Sequence, residues 1–261
     1  MRRLLLAAGA VLFCGPPAHA AFEALRAVST PAAFDPLRPA LHFWHTAPGR
    51  LVDSAPRVHV AGAQPYGLAE LRSGAVDITA RPGSFGLGVS FSTLGSGQYY
   101  SELLLASGVA WQPARWVALG AVVEHGSVYA GSRFPALYEF ALGAGVRARL
   151  SRRFSLDCAA TGLGTSSEEA RLFTPRLSAG LTFEYSNLLC VRVASLSHLQ
   201  WSLGETVKVG ENLALSADLV TSPLRLSLGL LISAGPFGFD FLYRDHPELG
   251  GDVAVGVLFY T

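Results

Sequence analysis

From residue 173 to residue 185 the chain alternates without interruption: Phe173, Pro175, Leu177, Ala179, Leu181, Phe183 and Tyr185 are interleaved with Thr174, Arg176, Ser178, Gly180, Thr182 and Glu184. Successive side chains of a strand point to opposite faces, so this segment predicts a strand with one apolar and one polar face. The pattern recurs between Gly, Pro, Ser and Asn punctuation. It predicts strands beginning near Arg57, Leu68, Ser84, Tyr99, Arg115, Ala136, Arg153, Leu172, Leu188, Trp201, Asn212, Leu224, Phe237 and Asp252. Glu70 and Glu205 interrupt the pattern in the first two strands and in the Trp201 strand, which leaves about twelve strands as the other count. The clearest apolar faces are Phe85 to Phe91, Tyr138 to Val146, Leu213 to Leu219, Leu224 to Ile232 and Phe237 to Tyr243, every second residue in each.

Roughly 10-residue alternating segments separated by turns are the signature of a transmembrane β-barrel. The fold class expected is all-β, an antiparallel transmembrane barrel over residues 57–261. Such barrels carry short turns on the periplasmic side and longer loops outside. Arg81–Gly83, Gln112–Ala114, Ser151–Arg152, Ser186–Asn187, Val209–Glu211 and Ala234–Pro236 read as the short turns, and each follows an even-numbered strand. Gly126–Pro135, Gly162–Arg171 and Asp245–Gly251 read as the long loops, while Ser222–Pro223 is a short connection on the long side.

The first twenty residues support export to that location. Arg2 and Arg3 precede an apolar run from Leu4 to Phe13 and an Ala18-His19-Ala20 cleavage site, the build of a secretory signal peptide over 1–20. The run is too short for a spanning helix, which needs ~20 residues. Outer-membrane lipid is the first partner implied.

Composition agrees: 50% of the residues are hydrophobic and only 15% charged, fewer charges than a soluble β-sandwich of this length would show. With 20 basic and 19 acidic residues there is no electrostatic footprint for nucleic acid. Cys158 and Cys190, the cysteines beyond the signal, fall on opposite phases and are expected to stay unpaired.

The polar phase carries Glu139, Arg147, Arg149, Asp157, Arg176, Glu184, Arg192, Asp218, Arg225, Asp240 and Arg244. Buried charges need partners, so these predict a ladder of acids and bases across neighbouring strands inside the lumen. The ladder reads either as structural filling or as a selectivity element. Val122, Leu231, Leu242 and Leu258 share that phase and make the lumen mixed, which suits a hydrophobic or amphipathic small-molecule ligand.

Residues 21–56 do not alternate, and Pro31, Pro36, Pro39 and Pro48 mark them as irregular. Two placements are open: a plug tucked into the barrel, or a periplasmic leader. The large apolar side chains Phe34, Phe43 and Trp44 favour the plug, because they need shelter from water.

No Gly-x-Ser-x-Gly elbow is present, and the glycines at 83, 86, 88, 143 and 145 fall within or beside strands, where they permit close backbone approach instead of cradling phosphate. His125-Gly-Ser127 is too isolated to carry hydrolysis, and Asp245, His246, Glu248 and Asp252 read as a solvated acidic loop and not a metal site. Neither an enzyme nor a cofactor is indicated.

The Phe43-Trp44 and Pro48-Gly49 pairs, the set of about fourteen strands and His246-Pro-Glu-Leu-Gly250 before the last strand resemble the FadL-like outer-membrane proteins, including the PorV/PorQ-type branch. The resemblance implies a barrel with an N-terminal hatch, serving either as a passive or gated channel for hydrophobic compounds or as a closed, secretion-associated barrel acting through partner proteins. The closing strand, with Gly256 and Phe259, resembles the C-terminal signal read by the barrel assembly machinery.

Overall fold

The computed structural model describes residues 43–64, 71–95, 100–131, 135–164, 172–173, 175–186, 189–196, 200–221, 224–245 and 251–260. Fourteen strands run in chain order: β1 Arg57–Gln64, β2 Ser73–Ala80, β3 Phe85–Gly95, β4 Ser101–Ala114, β5 Val117–Tyr129, β6 Leu137–Arg149, β7 Phe154–Gly164, β8 Arg176–Ser186, β9 Leu189–Leu196, β10 Gln200–Lys208, β11 Leu213–Val220, β12 Arg225–Ala234, β13 Phe237–Arg244 and β14 Asp252–Tyr260. Every strand pairs antiparallel with its sequence neighbours, and β1 pairs with β14, from Arg57 opposite Tyr260 to Gln64 opposite Val253. The sheet is a closed barrel. Closure leaves no unpaired sheet edge, the condition for placing strands in lipid.

Alternation sets which face each side chain takes. Phe85, Leu87, Val89 and Phe91 on β3 are exposed on the outer surface, as are Leu226 and Leu228 on β12, Phe237, Phe239, Phe241 and Tyr243 on β13, and Val253, Val255, Val257 and Phe259 on β14. Aromatic side chains mark both rims of this apolar band. Trp111, Trp116, Phe154, Tyr185 and Phe237 lie toward the end with short turns, and Tyr138 and Trp201 toward the end with long loops. Such girdles belong at the two membrane interfaces. Cys158 is free and exposed on the same outer face as Leu156.

The structure corrects one turn and the start of two strands, and it keeps the strand that Glu205 interrupts. Gln112–Ala114 is not a turn: β4 continues through Pro113, and the β4–β5 register shifts between Trp111 and Ala114. Proline has no N–H for the ladder, and a bulge is where a sheet accommodates it. The strand expected from Leu172 starts at Arg176, so Phe173 leaves the alternating series; Leu68 lies outside the described residues, and β2 starts at Ser73. Glu205 interrupts the apolar face of β10 from within, exposed on the outer side opposite Ala217.

Candidate functional site

A short segment enters the lumen from the turn end. It consists of α1, Phe43–Thr46, followed by a 3-10 helix, Pro48–Asp53, with proline in its first turn where the missing N–H costs nothing. Trp44, His45, Arg50, Leu51 and Val52 are all buried against the inner wall.

The wall has been cut away to receive the segment. Gly86 and Gly88 on β3, Gly108 on β4, Gly120 on β5 and Gly145 on β6 carry no side chain where the segment lies. A Cβ on Gly108 would come within 2.6 Å of the Trp44 ring, one on Gly88 within 2.9 Å of Leu51, and one on Gly145 within 3.0 Å of Pro48. On Gly86 and Gly120 it would fall on the backbone of Leu51 and of Pro48. Trp44, Leu51 and Val52 then pack with Ala106, Ala110, Ala118 and Val122 as one apolar cluster.

Polar contacts fix the segment in place. The Trp44 indole donates to Asp77 Oδ1 at 3.1 Å, and His45 places Nδ1 at 3.1 Å from Glu124 Oε1 and Nε2 at 3.0 Å from Ser90 Oγ. In the strand register His59, Asp77, Ser90, Ala106 and Glu124 form one continuous row across β1 to β5, and α1 lies along it. Arg50 donates from Nε to Asp157 Oδ2 at 2.8 Å and from Nη2 to Thr182 at 2.6 Å. Asp53 pairs with Arg147 and accepts from Arg149 Nη2 at 2.7 Å.

The expected ladder residues therefore have unlike surroundings. Arg147 and Asp157 stand opposite each other in the register, yet their closest charged contacts are Asp53 and Arg50 of the inner segment, not one another. Arg149 is 50% exposed at the rim. Asp240 accepts from His59 Nε2 at 2.9 Å across Gly256, where a side chain would collide with both groups. Glu139 accepts the backbone N–H groups of Leu172 and Phe173, the latter at 2.9 Å. Arg176, Glu184, Asp218, Arg225 and Arg244 are half-buried on the inner phase. Asp218, Ser227, Arg244 and Asp252 occupy one register row across β11 to β14, which Arg192 extends by its backbone position on β9. Phe43 opens α1, whereas Phe34 lies outside the described residues, as do residues 1–20 and His246–Gly250.

Two further apolar clusters line the lumen. At the loop end Leu172 and Phe173 pack on Leu94, Leu104 and Ala141, with Leu71, Tyr100 and Val128 around them. On the opposite wall Ala214, Leu231 and Leu258 meet beside Tyr260. Leu242 and Val122 are buried on the inner phase too.

His125 projects outward, its ring 4.5 Å from that of Phe140 and stacked at 6.3 Å on Tyr138. Ser127 shares that outer phase, and no acid joins the pair among the described contacts, so no hydrolytic constellation is assembled.

The lumen residues that sequence reasoning passed over are His45, Arg50, Asp53, His59, Asp77 and Glu124. Parity would have found Asp77, in phase with Ala75 and Thr79, and Glu124, in phase with Val122. Nothing periodic marks the residues of the inner segment.

No protein-family model matches the chain, and no curated sequence is similar to it. Solved structures share its fold. The toluene transporter TodX of Pseudomonas putida superposes with a TM-score of 0.62 at 10% identity, covering 88% of this chain and 98% of its own. The CymD monoaromatic hydrocarbon channel gives 0.58 at 13% identity, over 79% of this chain and 88% of its own. Outer membrane protein Omp33 of Acinetobacter baumannii gives 0.53 at 9% identity, over 79% and 98%. The chain is a transmembrane β-barrel of the outer-membrane type.

Proposed function

We propose that the protein is an outer-membrane channel for small hydrophobic or amphipathic compounds, plugged by its inner segment and passing its cargo along β10 to β13. The observation that carries this reading is the uneven filling of the lumen. The inner faces of β3 to β6 are covered at both ends, by Trp44, Leu51 and Val52 and by Leu172 and Phe173. On β11 to β13 the inner residues Ser216, Asp218, Arg225, Ser227 and Arg244 remain half-exposed above the apolar patch of Ala214, Leu231 and Leu258. A wall with charges at one level and aliphatic side chains at the next suits a compound with an apolar body and a polar end. The apolar cargo of TodX, a toluene transporter, and of CymD, a monoaromatic hydrocarbon channel, supports the same reading, as does the FadL-like resemblance. Outer-membrane lipid and the barrel assembly machinery are the partners this reading requires.

The test is deletion of residues 21–53 with the export signal kept. Paired strands, not the segment, satisfy the backbone in lipid, so the truncated barrel should insert. Its single-channel conductance and its uptake of an apolar dye should rise above those of the full chain. Normal insertion with neither changed would remove the plug. It would favour a closed, secretion-associated barrel of the PorV/PorQ type, the reading to which the dense packing over β3 to β6 lends weight.

A further inference from the structure

We propose that one half of the periplasmic rim, at the turns joining β2 to β7, is a docking surface for anionic phospholipid headgroups of the periplasmic leaflet. The proposal goes beyond the channel reading and holds whether or not the lumen conducts. Three consecutive short turns carry it: Arg81 between β2 and β3, Arg115 between β4 and β5, and Arg152 and Arg153 between β6 and β7, with Arg149 at the end of β6. All five are exposed. The side chains of Arg81, Arg115 and Arg152 make no ion pair or hydrogen bond with any described residue. Among the described residues no exposed acid lies beside them, since Asp53 is held by Arg147 and Arg149 and Glu184 is half-buried on the inner phase of β8. The other half of the rim is different. Its described turns hold one cation and one acid, Lys208 and Glu211, between β10 and β11, and no charge at Ala234–Pro236. The whole chain carries a formal net charge of only +1, so the arginine half is a local concentration and not a general basicity.

The residues between the arginines decide what this surface meets. Trp116 and Leu150, the chain neighbours of Arg115 and Arg149, are 63% and 64% exposed. Trp111, Phe154 and Tyr185 continue the aromatic girdle at the same level. Arg153 lies over the Tyr185 ring, with its guanidinium carbon 5.9 Å from the centroid, which keeps its charge on the lipid side of the rim and away from the lumen. Ser151 fixes that turn, its Oγ accepting the N–H groups of Arg153 and Phe154 at 3.1 Å each. Cations set directly on an interfacial aromatic belt stand at headgroup depth. Turns two strands apart are separated by at least about 10 Å along the rim, which is room for separate headgroups side by side. A guanidinium fork meets two oxygens of a phosphate at once, and the apolar tips beside it meet the acyl boundary. A purely acidic protein face would satisfy the arginines and leave Trp116 and Leu150 unmatched.

The experiment uses the full mature chain in vesicles, with Trp111→Phe and Trp201→Phe so that Trp116 is the one tryptophan on the outer surface. Quenching of its fluorescence by brominated phosphatidylglycerol, against brominated phosphatidylcholine at the same mole fraction, gives the relative association of the two lipids at this rim. Phosphatidylglycerol should be favoured about fivefold or more. Arg115→Gln with Arg152→Gln should bring the ratio close to one, and the same two positions changed to lysine should keep most of the preference. Arg72→Gln with Lys208→Gln removes the same charge elsewhere on the barrel and should leave the ratio unchanged. If the tryptophan background does not insert, native mass spectrometry of the unmodified chain with the two lipids makes the same comparison. A ratio near one with all arginines present would overturn the proposal, as would an equal fall in both glutamine pairs, which would mean that net charge and not this rim selects the lipid. A ratio near one together with binding of a polyglutamate peptide that the Arg115 and Arg152 changes abolish would overturn the lipid and assign the surface to an acidic protein.

Discussion

The two sides of the lumen are built on different rules. β3 to β6 run 11 to 14 residues, and Gly86, Gly88, Gly108, Gly120 and Gly145 on their inner faces let the wall accept a separate piece of chain. β10 to β13 run 8 to 10 residues and carry Asp218, Arg225 and Arg244 on their inner phase. One side obtains its packing from elsewhere in the sequence; the other uses its own side chains and remains partly open to water. Charge behaves differently in the two settings. On the first side Arg50, Asp53, Arg147 and Asp157 are withdrawn from solvent, and on the second Asp218, Arg225 and Arg244 are half-exposed while Asp240 is buried against His59.

That contrast is broken most severely through a buried charge. Arg50→Met removes the guanidinium that pairs with Asp157 in the interior, and losing one member of a buried pair costs about 3–5 kcal/mol. Arg244→Met on the half-exposed row should cost about 0–1 kcal/mol. Urea titrations of both variants refolded into lipid vesicles make the comparison, and equal losses would mean that the lumen is uniformly hydrated.

Next in size is the distinction between outside and inside on the open wall. Leu228 is exposed to lipid near the middle of β12, so Leu228→Arg should cost about 2–4 kcal/mol, while Ser227→Arg on the inner phase should cost much less. Leu226→Arg, nearer the strand end, should fall between them. The reverse order in vesicle refolding would displace the register by one residue.

Glycine distinguishes the walls more finely. Gly86→Ala places a methyl group on the Leu51 backbone, a collision worth about 1–3 kcal/mol of overpacking. Gly238→Ala on β13 meets Leu258 at 3.4 Å, ordinary contact, and should change stability little. The Gly86 variant should also raise conductance by unseating the inner segment, which planar-bilayer recording reads directly.

The outer face of the barrel was legible in the sequence because lipid favours apolar side chains at every second position, with Glu205, His125 and Ser127 among the departures. Turns were legible where Gly and Pro break the alternation, except at Pro113, which a bulge absorbs within β4. The inner charges could be located by the same parity, but their contacts could not. Arg147 and Asp157 are met by residues from a segment without periodicity, and a two-residue repeat carries no information about such a neighbour. Phe173 misleads for a related reason. It continues the odd-numbered alternation of β8, while its backbone is held inside by Glu139, 34 residues earlier in the chain.

The smallest expected effect tests whether the asymmetry stops at the inner surface. Phe154 and Phe183 face each other across β7 and β8 with ring centroids 4.7 Å apart, and Phe237 and Phe259 do so across β13 and β14 at 5.4 Å. Both pairs lie on the outer face toward the turn end, the first near the packed wall and the second on the open one. An aromatic pair is worth about 0.5–1.5 kcal/mol beyond its burial. The lipid around each pair is the same, so double-mutant cycles to leucine should return couplings within about 0.5 kcal/mol of each other, the scatter expected for independent sites. A clearly larger coupling for Phe154–Phe183 would mean that the seated segment stiffens the strands through to their outer surface. In that case the two walls would differ in rigidity as well as in what they enclose.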